Sequence, residues 1–121
     1  MKANELKALA IESLEDLKGQ NIVCLDVKEM TSVCDYMIVV TGTSNRHLKS
    51  LTDELGKTVK QAGAKVNGME GQNQTEWILV DLGDVIVHAM LAATRELYDL
   101  EALWSITAER SENEQYLENE Q

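Results

Sequence analysis

An α/β domain with a mixed β-sheet and flanking helices is the fold class that this sequence predicts, and three observations predict it. Helical and strand patterns alternate in the order helix, strand, strand, helix, short strand, strand, strand, helix. Residues 36–41 (YMIVVT) are almost continuously apolar, as expected of a strand buried on both faces. Two further strong strands, 76–80 and 85–90, are separated by so few residues that a hairpin must join them. At 121 residues the chain is long enough for one hydrophobic core and too short for two.

The elements follow in order. Leu6, Leu9, Ala10, Ser13, Leu14 and Leu17 recur at the spacing of one helical face, with Glu5, Glu12, Glu15 and Asp16 off it, so residues 3–18 read as an amphipathic helix. Gly19 stands where a C-cap glycine belongs. Residues 21–27 (NIVCLDV) are short and rich in branched side chains, which reads as a strand, and a turn at 28–32 leads to the buried strand. Gly42-Thr43-Ser44 breaks that strand. Ser44 is a good N-cap for a second helix whose apolar stripe is Leu48, Leu51, Leu55 and Val59 and whose end is Gly63. Glycines and asparagines punctuate 64–75 around a short strand expected at 65–69.

For the hairpin, a loop of Leu82 and Gly83 would place Asp81 opposite Asp84, Leu79 opposite Ile86 and Trp77 opposite His88. One face then carries Ile78, Val80, Val85, Val87 and Ala89. The other carries Trp77, Leu79, Ile86, His88 and Met90, an apolar face whose Trp and His suit a partly wet surface. A helix at 91–98 follows, and Asp99 can cap a last short turn through Leu100 to Trp104. The domain is expected to occupy residues 1–106. The glutamate-rich residues 107–121 are expected to be a disordered tail, the other reading being a helix packed through Ile106, Tyr116 and Leu117.

Charge and composition exclude several functions. Eleven Lys and Arg against twenty-one Asp and Glu leave a net charge of −10, so gripping nucleic-acid phosphates or an anionic membrane is not expected to be the main business of the chain. The charge is uneven. Residues 46–65 hold five cations against two carboxylates, whereas residues 66–121 hold two cations against twelve, so a basic partner would be drawn to the second half. No apolar run is long enough to span a bilayer, and the first residues lack a secretory apolar core, so a cytoplasmic protein is expected. Cys24 and Cys34 read as reduced small hydrophobes rather than a disulfide framework.

The usual catalytic signatures are missing. His47 and His88 have no ligand-spaced partner, so no metal or other cofactor is expected. There is no Gly-x-Ser-x-Gly elbow, Walker loop or GxGxxG fingerprint. The Gly42-Thr43-Ser44 turn resembles the glycine–serine turn of nucleotidyltransferases and opens a helix whose N–H groups could bind an anion. The metal-holding carboxylate pair of those enzymes is absent, since Asp81 and Asp84 are three apart and lie in a turn. A nucleotide-binding enzyme built on that turn is therefore the rival reading, with a plain helix cap as the simpler one. Arg95, Tyr98, Leu100 and Trp104 gather after the last strand and are either interface anchors or the covered edge of the core.

Five ordered segments carry a family resemblance: Asp16–Gly19 (DLKG), Asp35–His47 (DYMIVVTGTSNRH), Gly68–Gly71 (GMEG), Trp77–His88 (WILVDLGDVIVH) and Arg95–Trp104 (RELYDLEALW). In this order and spacing they resemble the ribosomal silencing factor, or Iojap-like, family across residues 4–104. The resemblance implies a nucleotidyltransferase-like domain without catalytic carboxylates and without enzymatic activity, homodimeric when free. It implies binding to large-subunit ribosomal protein L-fourteen that sterically blocks joining of the small subunit and represses translation under nutrient limitation. Carried over residue by residue, the contact would involve Trp77, Tyr98 and Leu100, with Glu70, His88, Arg95, Asp99 and Trp104 near or supporting them.

Overall fold

The structure, a computed structural model, describes residues 1–73 and 76–102. Its elements are α1 (Ala3–Asp16), β1 (Gln20–Asp26), β2 (Tyr36–Gly42), α2 (Asn45–Gln61), β3 (Gly68–Glu70), β4 (Trp77–Asp81), β5 (Val85–Leu91) and α3 (Ala92–Tyr98). The five strands form one sheet in the order β1-β2-β5-β4-β3. β2 and β5 run parallel, and the other neighbours are antiparallel, so the sheet is mixed as predicted.

The sheet has two unlike faces. On one, α1 and α2 press Leu6, Ala10, Leu14, Leu48, Leu51, Leu55 and Val59 onto Ile38, Val40, Ile78, Val80, Val85, Val87 and Ala89. Fully burying one such aliphatic side chain stabilises the fold by about 1.5–3 kcal/mol, so this layer is the main core. On the other face Met37, Val39 and Met90 are covered by Val27 and Cys34 from the β1–β2 connection, with Trp77, Ile86 and Leu100 packed at the margin. β2 is buried along its whole length, because it is central and covered on both sides.

Three local expectations shift. The hairpin loop is Gly83-Asp84, since the Leu82 N–H donates to the Val85 carbonyl at 2.9 Å and Asp81 is paired with Ile86. Gly83 takes φ +90°, which a two-residue turn of this hand needs at its first position, and the Asp81 carboxylate accepts its N–H at 2.8 Å. Trp77 therefore lies opposite Met90 and Leu79 opposite His88. This register differs from the expected one by two residues, an even number, so the composition of both faces is unchanged. At the end of α1 the left-handed residue is Lys18 (φ 62°), not Gly19, whose N–H instead closes the cap on the Leu14 carbonyl at 2.8 Å. The short edge strand falls at Gly68–Glu70, later than 65–69, because its pairing partner β4 ends at Asp81 opposite Gly68. The expected tail, with Ile106, Tyr116 and Leu117, lies outside the described residues.

Candidate functional site: an aromatic face beside the β3 edge

The second face is incompletely covered where β4 borders β3, and there the residues singled out in the sequence gather. Trp77 begins β4 and is half-buried. Its ring meets Tyr98 at a centroid distance of 4.9 Å and His88 at 5.8 Å, both tilted by about 50°, geometry that aromatic pairs favour. The indole Nε1–H donates to Nδ1 of His88 at 3.0 Å. Tyr98 ends α3 and is 55 % exposed. Leu97 beside it is 77 % exposed and does not pack on the core. Leu100 does, joining the second cluster beside Trp77.

His88 lies beneath this surface, only 8 % exposed. Burial pushes its imidazole down to a pKa of about 4, so it is neutral at pH 7. A neutral ring with Nδ1 as acceptor is the form that the Trp77 N–H requires.

Arg95 and Asp99 hold the segment that carries Tyr98. The Arg95 guanidinium donates from Nε to Glu101 at 2.5 Å and from Nη1 to the Thr41 hydroxyl at 2.8 Å, tying α3 and the turn after it to the end of β2. Asp99 is left-handed (φ 44°). Its N–H donates to the Arg95 carbonyl at 2.9 Å, and its carboxylate receives the Ala102 N–H at 3.4 Å. The predicted capping turn is therefore present through Ala102, and Trp104 lies outside the described residues. Glu101 is thus committed to an internal ion pair and is not a free carboxylate.

Glu70, at the end of β3, is exposed and lines an open groove of about 300 Å³ together with Gly71, Trp77 and Leu79. Gly71 has φ +86°, and a Cβ there would overlap the Trp77 carbonyl. The groove has an aromatic wall and an acidic end, which suits the stem and charge of a lysine or arginine side chain. Leu79 was legible as a lining residue, since it shares the pleat side of Trp77. Thr41 was not, since nothing in the sequence links it to a residue 54 positions away.

The Gly42-Thr43-Ser44 turn is occupied from within. Ser44 Oγ accepts the His47 N–H at 3.1 Å, and the Thr43 N–H donates to His47 Nδ1 at 2.9 Å. His47 Nε2 then donates to the Leu17 carbonyl at 2.8 Å, so the ring bridges the turn to the end of α1. Two of the N–H groups that an anion would use are taken. Among the described residues no three His, Cys, Asp or Glu are grouped to hold a metal, and no helix is long and apolar enough to cross a membrane.

These features define a small mixed-sheet α/β domain with a half-open aromatic surface. The family model described as ribosomal silencing factor during starvation matches residues 1–121. A ribosomal silencing factor from Chromobacterium violaceum is 50 % identical over 104 residues, covering 86 % of this chain and 85 % of that protein. One from Haemophilus influenzae is 46 % identical over 95 residues, covering 78 % and 93 %. A crystal structure of a Chromobacterium violaceum protein superposes with a TM-score of 0.85 at 50 % identity, covering 87 % of this chain and 88 % of that one. The chain belongs to the ribosomal silencing factor family.

Proposed function

We propose that this protein docks on the large ribosomal subunit through ribosomal protein L-fourteen and sterically blocks joining of the small subunit, repressing translation when nutrients are short. The observation that carries the reading is the Trp77–Tyr98 pair, half-open on a rigid sheet face and flanked by exposed Leu97. Aromatic anchors of this kind dominate binding energies when a partner desolvates them. The acidic groove end at Glu70 complements a basic protein.

In this reading the residues divide by depth. Trp77, Tyr98, Leu100 and Glu70 meet the partner. His88 orients Trp77 from below, and Arg95 and Asp99 orient Tyr98; Trp104 is proposed to join them. The mechanism has no reaction step. The factor occupies volume that the small subunit needs, and repression follows occupancy. Cytoplasmic location and a homodimeric free form belong to the same proposal, the latter tested by sedimentation equilibrium.

Co-sedimentation with purified large subunits tests the main claim. The wild type is expected to pellet with them and to prevent 70S formation, and Tyr98→Ala is expected to do neither. Wild-type co-sedimentation by Tyr98→Ala would overturn the site assignment.

A further inference from the structure

The second sheet face stays partly open past the aromatic groove. Leu79 and Ile86 are diagonal neighbours on it, since Leu79 pairs with His88 and Asp81 with Ile86, and both are half-buried. They carry the apolar surface from Trp77 toward the β4–β5 hairpin, the five residues of β4 separating Trp77 from Asp81 by about 13 Å. At the hairpin end the β1–β2 connection folds over the same face. Its Val27, Met30 and Cys34 belong to the apolar cluster that Trp77, Ile86 and Leu100 join at the margin. Next to Cys34, Val33 is 72 % exposed. Among the described residues the other exposed large hydrophobics are Met1 and, at the groove, Leu97 and Tyr98.

Hydrogen bonds fix the loop that carries Val33. The Met30 and Thr31 N–H groups donate to the Val27 carbonyl at 3.0 and 3.1 Å, and the Val33 N–H donates to the Thr31 hydroxyl at 3.1 Å. Cys34 is buried, and the Asp35 N–H donates to the Asp84 carbonyl at 2.8 Å, tying the loop to the hairpin. A side chain presented this way has little freedom left to lose when a partner covers it. Carboxylates border the same end. Asp35 and Asp81 are half-buried and Asp84 is exposed, and burial together with these three charges pushes the Cys34 thiol up. With Glu70 at the groove, the strip is acidic at both ends, which complements a basic partner and repels RNA phosphates. Size points the same way, since a stable protein interface takes about 20–30 residues a side, far more than the groove and the Trp77–Tyr98 pair provide.

We infer that the surface covered by the docked ribosomal protein extends from Trp77 and Tyr98 along Leu79 and Ile86 to Val33, which is a second apolar anchor at the hairpin end. This anchor rests on the ribosome-docking reading above. One aromatic cluster lets a partner pivot, whereas two anchors at opposite ends of a strip set its orientation. That orientation decides which part of the subunit-joining surface the bound factor obstructs.

The test uses the full-length wild type and four variants: Val33→Ala, Val33→Lys, Tyr98→Ala and Ala8→Lys. Ala8 is an exposed position of α1 in the helix layer, so the last variant adds the same charge away from the strip. Affinities for purified large subunits and for isolated L-fourteen are measured, with thermal melting and sedimentation equilibrium on each preparation. Val33→Ala is expected to weaken both affinities about fivefold and Val33→Lys about 30-fold or more, while Ala8→Lys changes neither. Melting of the Val33 variants is expected within about 3 °C of wild type, as for other exposed positions, and Val33→Ala decides the matter if Val33→Lys does not fold. Affinities within about twofold of wild type for the folded Val33 variants would overturn the inference, and so would an equal loss in Ala8→Lys. A loss toward subunits but not toward isolated L-fourteen would assign the strip to another ribosomal component. A change from dimer to monomer with unchanged L-fourteen affinity would assign it to a second copy of the chain. Either result overturns the second anchor. Wild-type binding by Tyr98→Ala removes the docking reading itself, a result distinct from a normal Tyr98 loss beside an unaffected Val33.

Discussion

The indole of Trp77 donates to Nδ1 of His88 at 3.0 Å although the two residues are not partners across the β4–β5 ladder. His88 faces Leu79, and Trp77 reaches it diagonally, a distance that long side chains on one sheet face can bridge. The bond fixes the plane of the half-buried ring from underneath, so the anchor is set before any partner arrives, which lowers the ordering cost of binding.

The burial of His88 makes stability depend on pH. The folded-state pKa of His88, about 4, lies below the ordinary 6.5 because burial disfavours the imidazolium. Between those values the unfolded chain binds more protons than the folded one, so stability falls as pH drops from 6.5 toward 4. The loss attributable to this residue is on the order of 3 kcal/mol. Urea denaturation of wild type and His88→Gln at pH 7 and pH 4.5 should show a smaller pH-dependent drop in the variant. Equal drops would remove the assignment.

Tyr98 is the cleaner probe of the docking face. Truncating half-buried Trp77 also opens the margin of the second core, so its binding loss is mixed with a folding loss. Tyr98→Ala removes an exposed ring and one aromatic contact, a stability cost under about 1.5 kcal/mol. Large-subunit affinity is expected to fall at least about 30-fold, the scale of a binding hot spot. Thermal melting and co-sedimentation on the same preparation separate the two effects.

Most of the fold and part of the site were legible in sequence, for physical reasons that particular residues illustrate. Strand period 2 sorted Trp77, Leu79, Ile86, His88 and Met90 onto one face, and even a loop misplaced by one residue on each strand kept that sorting. The Ser44 cap was visible because short polar side chains before an apolar stripe have few other uses. Depth was not visible. The sequence left open whether His88 and Arg95 lie at the surface or beneath it; His88 is 8 % exposed and Arg95 reaches down to the Thr41 hydroxyl. Long-range pairings of this kind leave no periodic trace in a single chain.

Arg95 illustrates the consequence. Its side chain is 12 % exposed and that of Glu101 28 %, so neutralising either leaves a largely buried charge without its partner. Arg95→Gln is expected to cost about 2 kcal/mol and to loosen the turn that presents Tyr98 and Leu100. A lower urea midpoint together with weaker subunit binding is the expected pair of results. Unchanged stability would mean that the Thr41 and Glu101 bonds do not hold the segment.

Gly71 sets the shape of the groove. Its φ of +86° and the overlap that a Cβ would have with the Trp77 carbonyl bar any larger residue without backbone movement. Gly71→Ala is expected to destabilise by more than about 1 kcal/mol and to weaken subunit binding, because the strand that starts at Trp77 must shift. Hydrogen exchange at the β3–β4 pair, which joins Met69 to Val80, should rise selectively.

The acidic groups divide into those placed to steer a basic partner and those that are not. Glu70 is exposed at the groove, whereas Glu101 is spent on Arg95 and Asp99 caps a turn. Residues 109–121 add Glu109, Glu112, Glu114, Glu118 and Glu120 against Arg110, charge without an assigned position at the docking face. A carboxylate at the rim of an interface acts mainly on the association rate, through a field that decays over about 10 Å at 0.1 M salt. Glu70→Gln should therefore slow association with isolated L-fourteen at low salt by a few-fold and lose that effect in high salt. Deleting 109–121 should change the rate less. Stopped-flow association at 20 and 300 mM salt separates the two, and a larger slowing from the deletion would shift the useful charge from the groove to the tail.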